Sequence, residues 1–315
     1  MKGLTDIPGF RVGHISDFQA ITGCTAILCE AGAVGGVDIR GAASGTQETA
    51  TLDPLHVDPV AHAILLAGGS AFGLEAAAGV RRYLASRNVG VDTPYAKVPI
   101  VPAAILYDLG IGNSKVRPTV AMGEAAAAAA TTDAVAEGSV GAGTGATVGK
   151  ALGFKQAMKS GIGSYTVTMP GGVLVSSLVA VNAFGDVRDP TTGKIVAGAR
   201  KAPDSREFAD GNEIVKQRPP GALVRTNTTL AVVATNARLS KVEATKLAQF
   251  ASLGMARAIY PVNTTNDGDT VFALSLGDRR ADINSLGVAA AEAMVEAILR
   301  AVRLAKTLGG VPGLG

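Results

Sequence analysis

The stretch Arg225–Ser240, RTNTTLAVVATNARLS, poses the question on which this chain turns. Val232 and Val233 belong in a buried strand, where β-branched side chains pack well. Asn227, Thr228 and Thr229 stand at that strand's entrance, and each needs a hydrogen-bond partner if it is buried. They are either turn residues or groups with chemistry to perform.

Around this stretch lie 315 residues, 47% hydrophobic and 17% charged, the composition of a compact globule with a sizeable core. Forty glycines, runs of alanine and no tryptophan predict close approach of backbones, with helices lying tightly on sheets. The formal charge of +3 comes from scattered Lys and Arg. With no basic stripe and no interleaved aromatics, a nucleic-acid partner is not expected. The start, MKGLTDIPGFRVGH, lacks an apolar h-region, and no apolar run is long enough to span a bilayer. A cytoplasmic protein without a membrane partner is the expectation. Cys24 and Cys29 read as buried structural thiols. Three histidines, His14, His56 and His62, cannot build a His-rich metal site, so no metal is assigned.

Upstream, GCTAILCEAG reads as a strand, followed by a bent, glycine-rich second strand. HAILLAGGSAFGLEAAAGVRRYLASR reads as strand, tight turn and helix, with Ser70 capping the helix. A second helix fits MGEAAAAAATTDAVAEG, and GSYTVTM and GGVLVSSLVAVNAFGD are consecutive strands. The Pro-rich, charged segment from Asp186 to Arg225 reads as a surface connection with one short helix. Beyond the opening stretch, Ser240 and Glu243 form a capping box for a helix, VFALSLGD is a strand, and NSLGVAAAEAMVEAILRAVRLA is a final amphipathic helix. With no regular βαβ rhythm in the second half, the pattern predicts packed sheets flanked by helices.

Familiar motifs fail on spacing. A P-loop would need glycine at Thr144 and a hydroxyl at Ala151, and a dinucleotide fingerprint would need glycine at Val148. No cofactor is therefore expected. A serine elbow around Ser70 would need glycine at Phe72, and all three histidines precede it. One chemistry needs no histidine. A threonine at a chain terminus can use its own α-amine, of pKa near ~8, as general base. In this chain such a terminus arises if Thr228 Oγ attacks the Asn227 carbonyl, shifts the acyl group from N to O, and the ester is hydrolysed.

NTTLAVVATNARLS, with GATVGK before it, VAVNAFGD between and NTTNDGDTVFALS after, resembles the self-cleaving L-aminopeptidase/D-esterase family of N-terminal-nucleophile hydrolases. That family includes β-peptidyl aminopeptidases and endo-type 6-aminohexanoate (nylon) oligomer hydrolases. The likeness runs from GFRVGH through LLAGGSAFGLEAAAGV to the last helix. It implies an α/β fold, a four-layer αββα sandwich, in one hydrolase domain processed into residues 1–227 and 228–315. It also implies a homo-oligomer, a tetramer of processed heterodimers, acting on small peptides or amides.

By position, the resemblance makes Thr228 the nucleophile and the Asn227–Thr228 bond the autocleavage site. Lys150 matches the active-site lysine and Asn182 the oxyanion donor. Asp267 and Asp269 match the acidic pair of the nylon-oligomer hydrolases, and Tyr107 an aromatic residue lining the site. Aminopeptidase relatives hold the substrate ammonium with a glutamate, and Ala103 stands about where it would fall. That departure implies an apolar substrate-binding wall and favours internal amides, such as ω-amino-acid oligomers, over a strict aminopeptidase. Each residue also has a bland reading: Lys150 as a solvated cation, Asn182 as a turn, the aspartates as a hairpin or cation site. A non-catalytic, ligand-binding member is the alternative from a different class.

Overall fold

The computed structural model describes residues 2–58, 60–218 and 227–315. Arg225 and Thr226, and the end of the Pro-rich connection, lie outside the described residues. One extended path of strands is folded by a single bent strand into two stacked sheets. The bent strand is β2 (Thr22–Ile39). Its first half pairs with β1 (Arg11–Asp17) and with β4 (Ala61–Ala67), and β7 (Ala103–Ile105) and β3 (Gly45–Gln47) complete that sheet. Its second half pairs with β16 (Thr270–Arg279) in the other sheet, whose remaining strands are β14 (Thr228–Ala237), β11 (Val173–Asn182) and β10 (Ile162–Met169). Between the halves the register shifts, and Gly32 takes a φ of 83°, a turn that glycine makes at little cost. What the sequence suggests as two strands is thus one strand serving both sheets.

Helices cover both outer faces. On the first sheet lie α1 (Ala76–Ser86) and α2 (Val120–Ala128), and on the second α4 (Lys241–Ala258) and α5 (Ile283–Arg303). The result is an αββα sandwich, as expected, with three apolar layers. Leu230, Val232 and Ala234 of β14 point into the core between the sheets, with Ile27, Leu178 and Phe272. The alternate residues Ala231 and Val233 face α4 and α5. Both faces of the strand are buried, so its sequence is a continuous apolar run rather than an alternation. Helix and sheet approach as closely as the glycine and alanine content predicts: a Cβ on Gly36 would lie 2.3 Å from Thr245 N of α4.

The capping box of Ser240 and Glu243 opens α4 as expected. Three expectations need correction. Ser70 makes no capping bond; it begins a 3-10 stretch, Ser70–Glu75, and its N–H donates to Leu106 O. The α2 helix stops at Ala128, because Thr131 leaves it to exchange main-chain bonds with Val12 of β1. The segment after Asn182 is more than a surface connection. In it, β12 (Asp186–Arg188) pairs with β13 (Ile195–Ala197) and with β15 (Ile259–Tyr260), and α3 (Gly211–Lys216) follows. Buried Asp186 ties these pieces together by accepting from Ala199 N and Gly211 N, both at 2.8 Å.

Two short hairpins complete the sixteen strands found among the described residues: β5 (Val91–Asp92) with β6 (Lys97–Val98), and β8 (Thr147–Val148) with β9 (Met158–Lys159). Cys24 and Cys29 are free and buried, and burial pushes both thiols up to about 12, which makes them inert.

Candidate active site

The polar entrance of β14 is flanked by its two neighbours in the sheet. On one side Asn182, the last residue of β11, is the antiparallel register partner of Thr228. On the other, Asn227 bridges in parallel to Asp267 in the approach to β16. The β11-β14-β16 order therefore brings residues some forty positions apart on either side of Thr228 to one spot. Asn227 and Thr228 are each only 3% exposed. The Asn227 carbonyl accepts from Gly268 N at 3.0 Å and from the Thr228 hydroxyl.

Asn182 is fully buried and held on every side. Its Oδ1 accepts from Thr147 N (3.1 Å) and Lys150 Nζ (2.8 Å), and its Nδ2 donates to Tyr107 O (2.8 Å). These partners fix which end of the amide is the donor. Lys150 also donates to Asn182 O at 2.9 Å. The lysine is brought there by its own backbone, since Gly149 N and Lys150 N bond to Gly185 O and Phe184 O just after β11.

The aspartates grip the surrounding main chain. Asp269 accepts from Thr229 N at 2.6 Å and Asn263 N at 2.9 Å. Asp267 Oδ2 accepts from Thr264 Oγ1 at 2.5 Å and Thr264 N at 3.2 Å. Its Oδ1 is buried with no hydrogen-bond partner among the described residues. Burial raises the Asp267 carboxyl, and burial together with the Asp267 charge raises Asp269 to about 7. Burial pushes the Lys150 ammonium down to about 7, against the pull of Asp267, Asp269 and Asp108. Burial thus moves the lysine and both carboxylates toward their neutral forms.

Beside this cluster opens a cavity of about 240 Å³, lined by Tyr107, Asp108, Gly110, Gly145, Thr147, Lys150 and Phe154. Lys150 links the two, since it lines the cavity and touches Asn182. The structure thus gathers Lys150, Asn182, Asn227, Thr228, Asp267 and Asp269 into one cluster and places Tyr107 at its edge. It does not bring Ala103 there. Ala103 is fully buried in the core that β4 and β7 share with α1 and α2, so it forms no wall of this cavity.

Three residues at the site were not singled out from the sequence. Asp108 is 4% exposed at the cavity and accepts from Thr22 Oγ1 and Gly69 N, both at 2.7 Å. Its one sequence signal is a carboxylate set among apolar residues in ILYDLG. Lys159 is fully buried and gives its ammonium to three carbonyls, those of Gly143, Ala146 and Ser160. Gly268 lies between the two aspartates.

The whole chain agrees with known proteins. Residues 2–314 match the model of peptidase family S58. A Mycobacterium tuberculosis protein described as an uncharacterized aminopeptidase is 38% identical, over 99% of this chain and 96% of its own length. A 6-aminohexanoate-oligomer endohydrolase of Kocuria sp. is 32% identical, over 95% of this chain and 85% of its own. Among solved structures, a Burkholderia sp. beta-aminopeptidase superposes with a TM-score of 0.69 at 24% identity, covering 100% of this chain and 91% of that one. The L-aminopeptidase D-Ala-esterase/amidase of Ochrobactrum anthropi, described as a variant of the Ntn hydrolase fold, gives 0.73 at 21% identity, over 99% and 88%. At these identities the two structures speak to the fold alone, and the fold is theirs. The chain belongs to peptidase family S58 and is a hydrolase of amide bonds.

Proposed function

We propose that the chain cuts itself between Asn227 and Thr228, and that the freed Thr228 then hydrolyses small amide substrates through an acyl-enzyme. The observation that carries this reading is the setting of Thr228. Its hydroxyl contacts the carbonyl of the bond before it, and it stands between Asn182 and the Asp267–Asp269 segment. At 3% exposure, and with its nitrogen in a peptide bond, Thr228 cannot meet a substrate in the uncut chain. Scission supplies both the access and the base.

In turnover the α-amine of Thr228 takes the hydroxyl proton as Oγ1 attacks the substrate carbonyl, and returns it to the leaving amine. Asn182 Nδ2, which has a second N–H beyond its bond to Tyr107 O, serves as the oxyanion donor of turnover, a fixed donor worth roughly 3 kcal/mol. Lys150 orients Asn182 and, as a cation, disfavours protonation of the α-amine. Water then releases the acyl group.

The similarity to 6-aminohexanoate-oligomer endohydrolases supports ω-amino-acid oligomers and small peptides as substrates. The aminopeptidase relatives support substrates with a free amine, for which Asp108 offers a carboxylate at the cavity. The assembly proposed is a homo-oligomer of processed heterodimers. Denaturing electrophoresis of active enzyme should show two fragments, and Thr228→Ala should remain one band and lose turnover by on the order of 10⁴-fold. Full activity in an uncut chain would sink the reading. Rates on free-amine dipeptides against N-blocked amides decide the substrate class.

A further inference from the structure

We propose that the main-chain N–H of Gly268 is the oxyanion donor for scission of the Asn227–Thr228 bond, and that residue 268 must be glycine because the nucleophile and the Ala43 carbonyl fill the space of its side chain. The inference rests on the self-processing reading above and deepens it.

When Thr228 Oγ1 adds to the Asn227 carbonyl carbon, negative charge gathers on Asn227 O. The C–N bond to Thr228 then breaks, the hydroxyl proton ends on the Thr228 nitrogen, and an ester joins Asn227 to Oγ1. Water later adds to that ester, leaving an Asn227 carboxylate, a free hydroxyl and a free amine. The atom that must bear charge already accepts a hydrogen bond from Gly268 N at 3.0 Å. Asn182, on the opposite side of Thr228, directs Nδ2 to Tyr107 O instead.

This donor is held in place from both sides. The carbonyl of Asp267 accepts from Ala43 N at 2.9 Å, and that of Asp269 from Arg40 N and Gly41 N at 3.2 and 3.1 Å. The side chains of the same two residues are tied to Thr264, Thr229 and Asn263. The Gly268 peptide therefore has little freedom to drift as charge develops, which is the condition under which a donor stabilises a transition state. The bond is also the first rung joining β14 to the β16 approach, and a rung alone would accept any residue at 268.

The space around Gly268 removes that freedom of choice. A Cβ there would lie 2.8 Å from Thr228 Oγ1, 2.9 Å from Ala43 O and 3.0 Å from Ser44 Cα. Gly268 is not among the residues with positive φ, so its backbone does not demand glycine. The demand comes from the hydroxyl and the Ala43 carbonyl packed against it.

The test replaces Gly268 by glycolic acid through nonsense suppression in cell-free translation, which exchanges only the N–H for an ester oxygen. Conversion of the full-length band is followed by denaturing electrophoresis, beside wild type and Thr228→Ala. The ester should slow splitting about 10²-fold or more, the usual effect of losing one oxyanion donor. Splitting at the wild-type rate overturns the donor role. Gly268→Ala, taken as the folded fraction from gel filtration, should also split slowly, and a wild-type rate there overturns the steric claim. If wild type stays intact, or Thr228→Ala still splits, the self-processing reading itself has failed.

Discussion

The two ends of β14 carry the same kinds of side chain and use them differently. At the far end, Thr235 Oγ1 donates to Leu174 O at 2.8 Å, while Asn236 accepts from Leu174 N at 2.8 Å and donates to Gly172 O at 3.0 Å. Those partners are main-chain groups at the start of β11 and in the turn just before it. At the near end, Thr228 meets the carbonyl of its own preceding peptide, Thr229 N meets a carboxylate, and Asn182 is the cross-strand partner. Threonine and asparagine at the far end close a sheet, whereas at the near end they surround a bond. The residue types alone do not separate these roles; the neighbours do.

The comparison breaks most sharply at Asn182. Asn182→Ala should lower kcat on small amides by about 10²–10³-fold, because it removes a fixed donor and leaves Lys150 with only its main-chain contact to residue 182. Steady-state kinetics on the processed enzyme measures this. A kcat within about threefold of wild type would show that Asn182 only closes the sheet, like Asn236.

Much of this was legible in the sequence where local rules and spacing agree. The capping box at Ser240, the apolar run of β14 and the Ala-rich helices each follow from nearby residues. The bend in β2 was not, because the chain carries one strand where its glycines suggest two, and only the second sheet explains the break. Asp186 looked like the start of a loop because its partners, Ala199 and Gly211, are distant in sequence. At the site, Lys150, Asn182, Thr228, Asp267, Asp269 and Tyr107 were named through the family resemblance, and the fold brings them together. Ala103 was named by counting along a segment, and its strand turns it toward the helices. Asp108 stayed hidden because its two partners lie 86 and 39 residues away. A caged lysine such as Lys159 looks like any surface lysine in a sequence.

The next effect is on pH dependence. Lys150, pushed down to about 7 by burial, is a cation below that pH and largely neutral above it. As a cation it disfavours a second positive charge on the α-amine of Thr228, so it lowers that amine's pKa below the free value near ~8. Below about 7, where the lysine is charged, it should hold part of the amine neutral, so kcat/KM in wild type should fall less steeply with acidity than in Lys150→Met, whose limb near ~8 falls about tenfold per unit. Lysine and amine titrate as a pair, so the limb reports both. Asp267, Asp269 and Asp108 remain in both proteins. Lys159 is also pushed down to about 7, yet its ammonium is given to three carbonyls and does not touch Asn182. Equal steepness below about 7 in wild type and Lys150→Met, with only the plateau lower, would reduce Lys150 to a structural support.

The smallest effect tests the far end. Asn236→Ala removes two side-chain bonds and leaves Leu174 N without its acceptor, at a cost of about 1 kcal/mol. Asn236 is partly exposed, so water replaces some of that loss, and Tm should fall by about 2 °C. Splitting of the chain and kcat should be unchanged, because nothing at this end reaches the Asn227 carbonyl along a strand of ten residues. Thermal melting and electrophoresis of the same preparation read both quantities. If Asn236→Ala slows splitting as Gly268→Ala does, then β14 transmits strain along its length. The chemistry at its entrance would then depend on the whole strand rather than on the neighbours of Thr228.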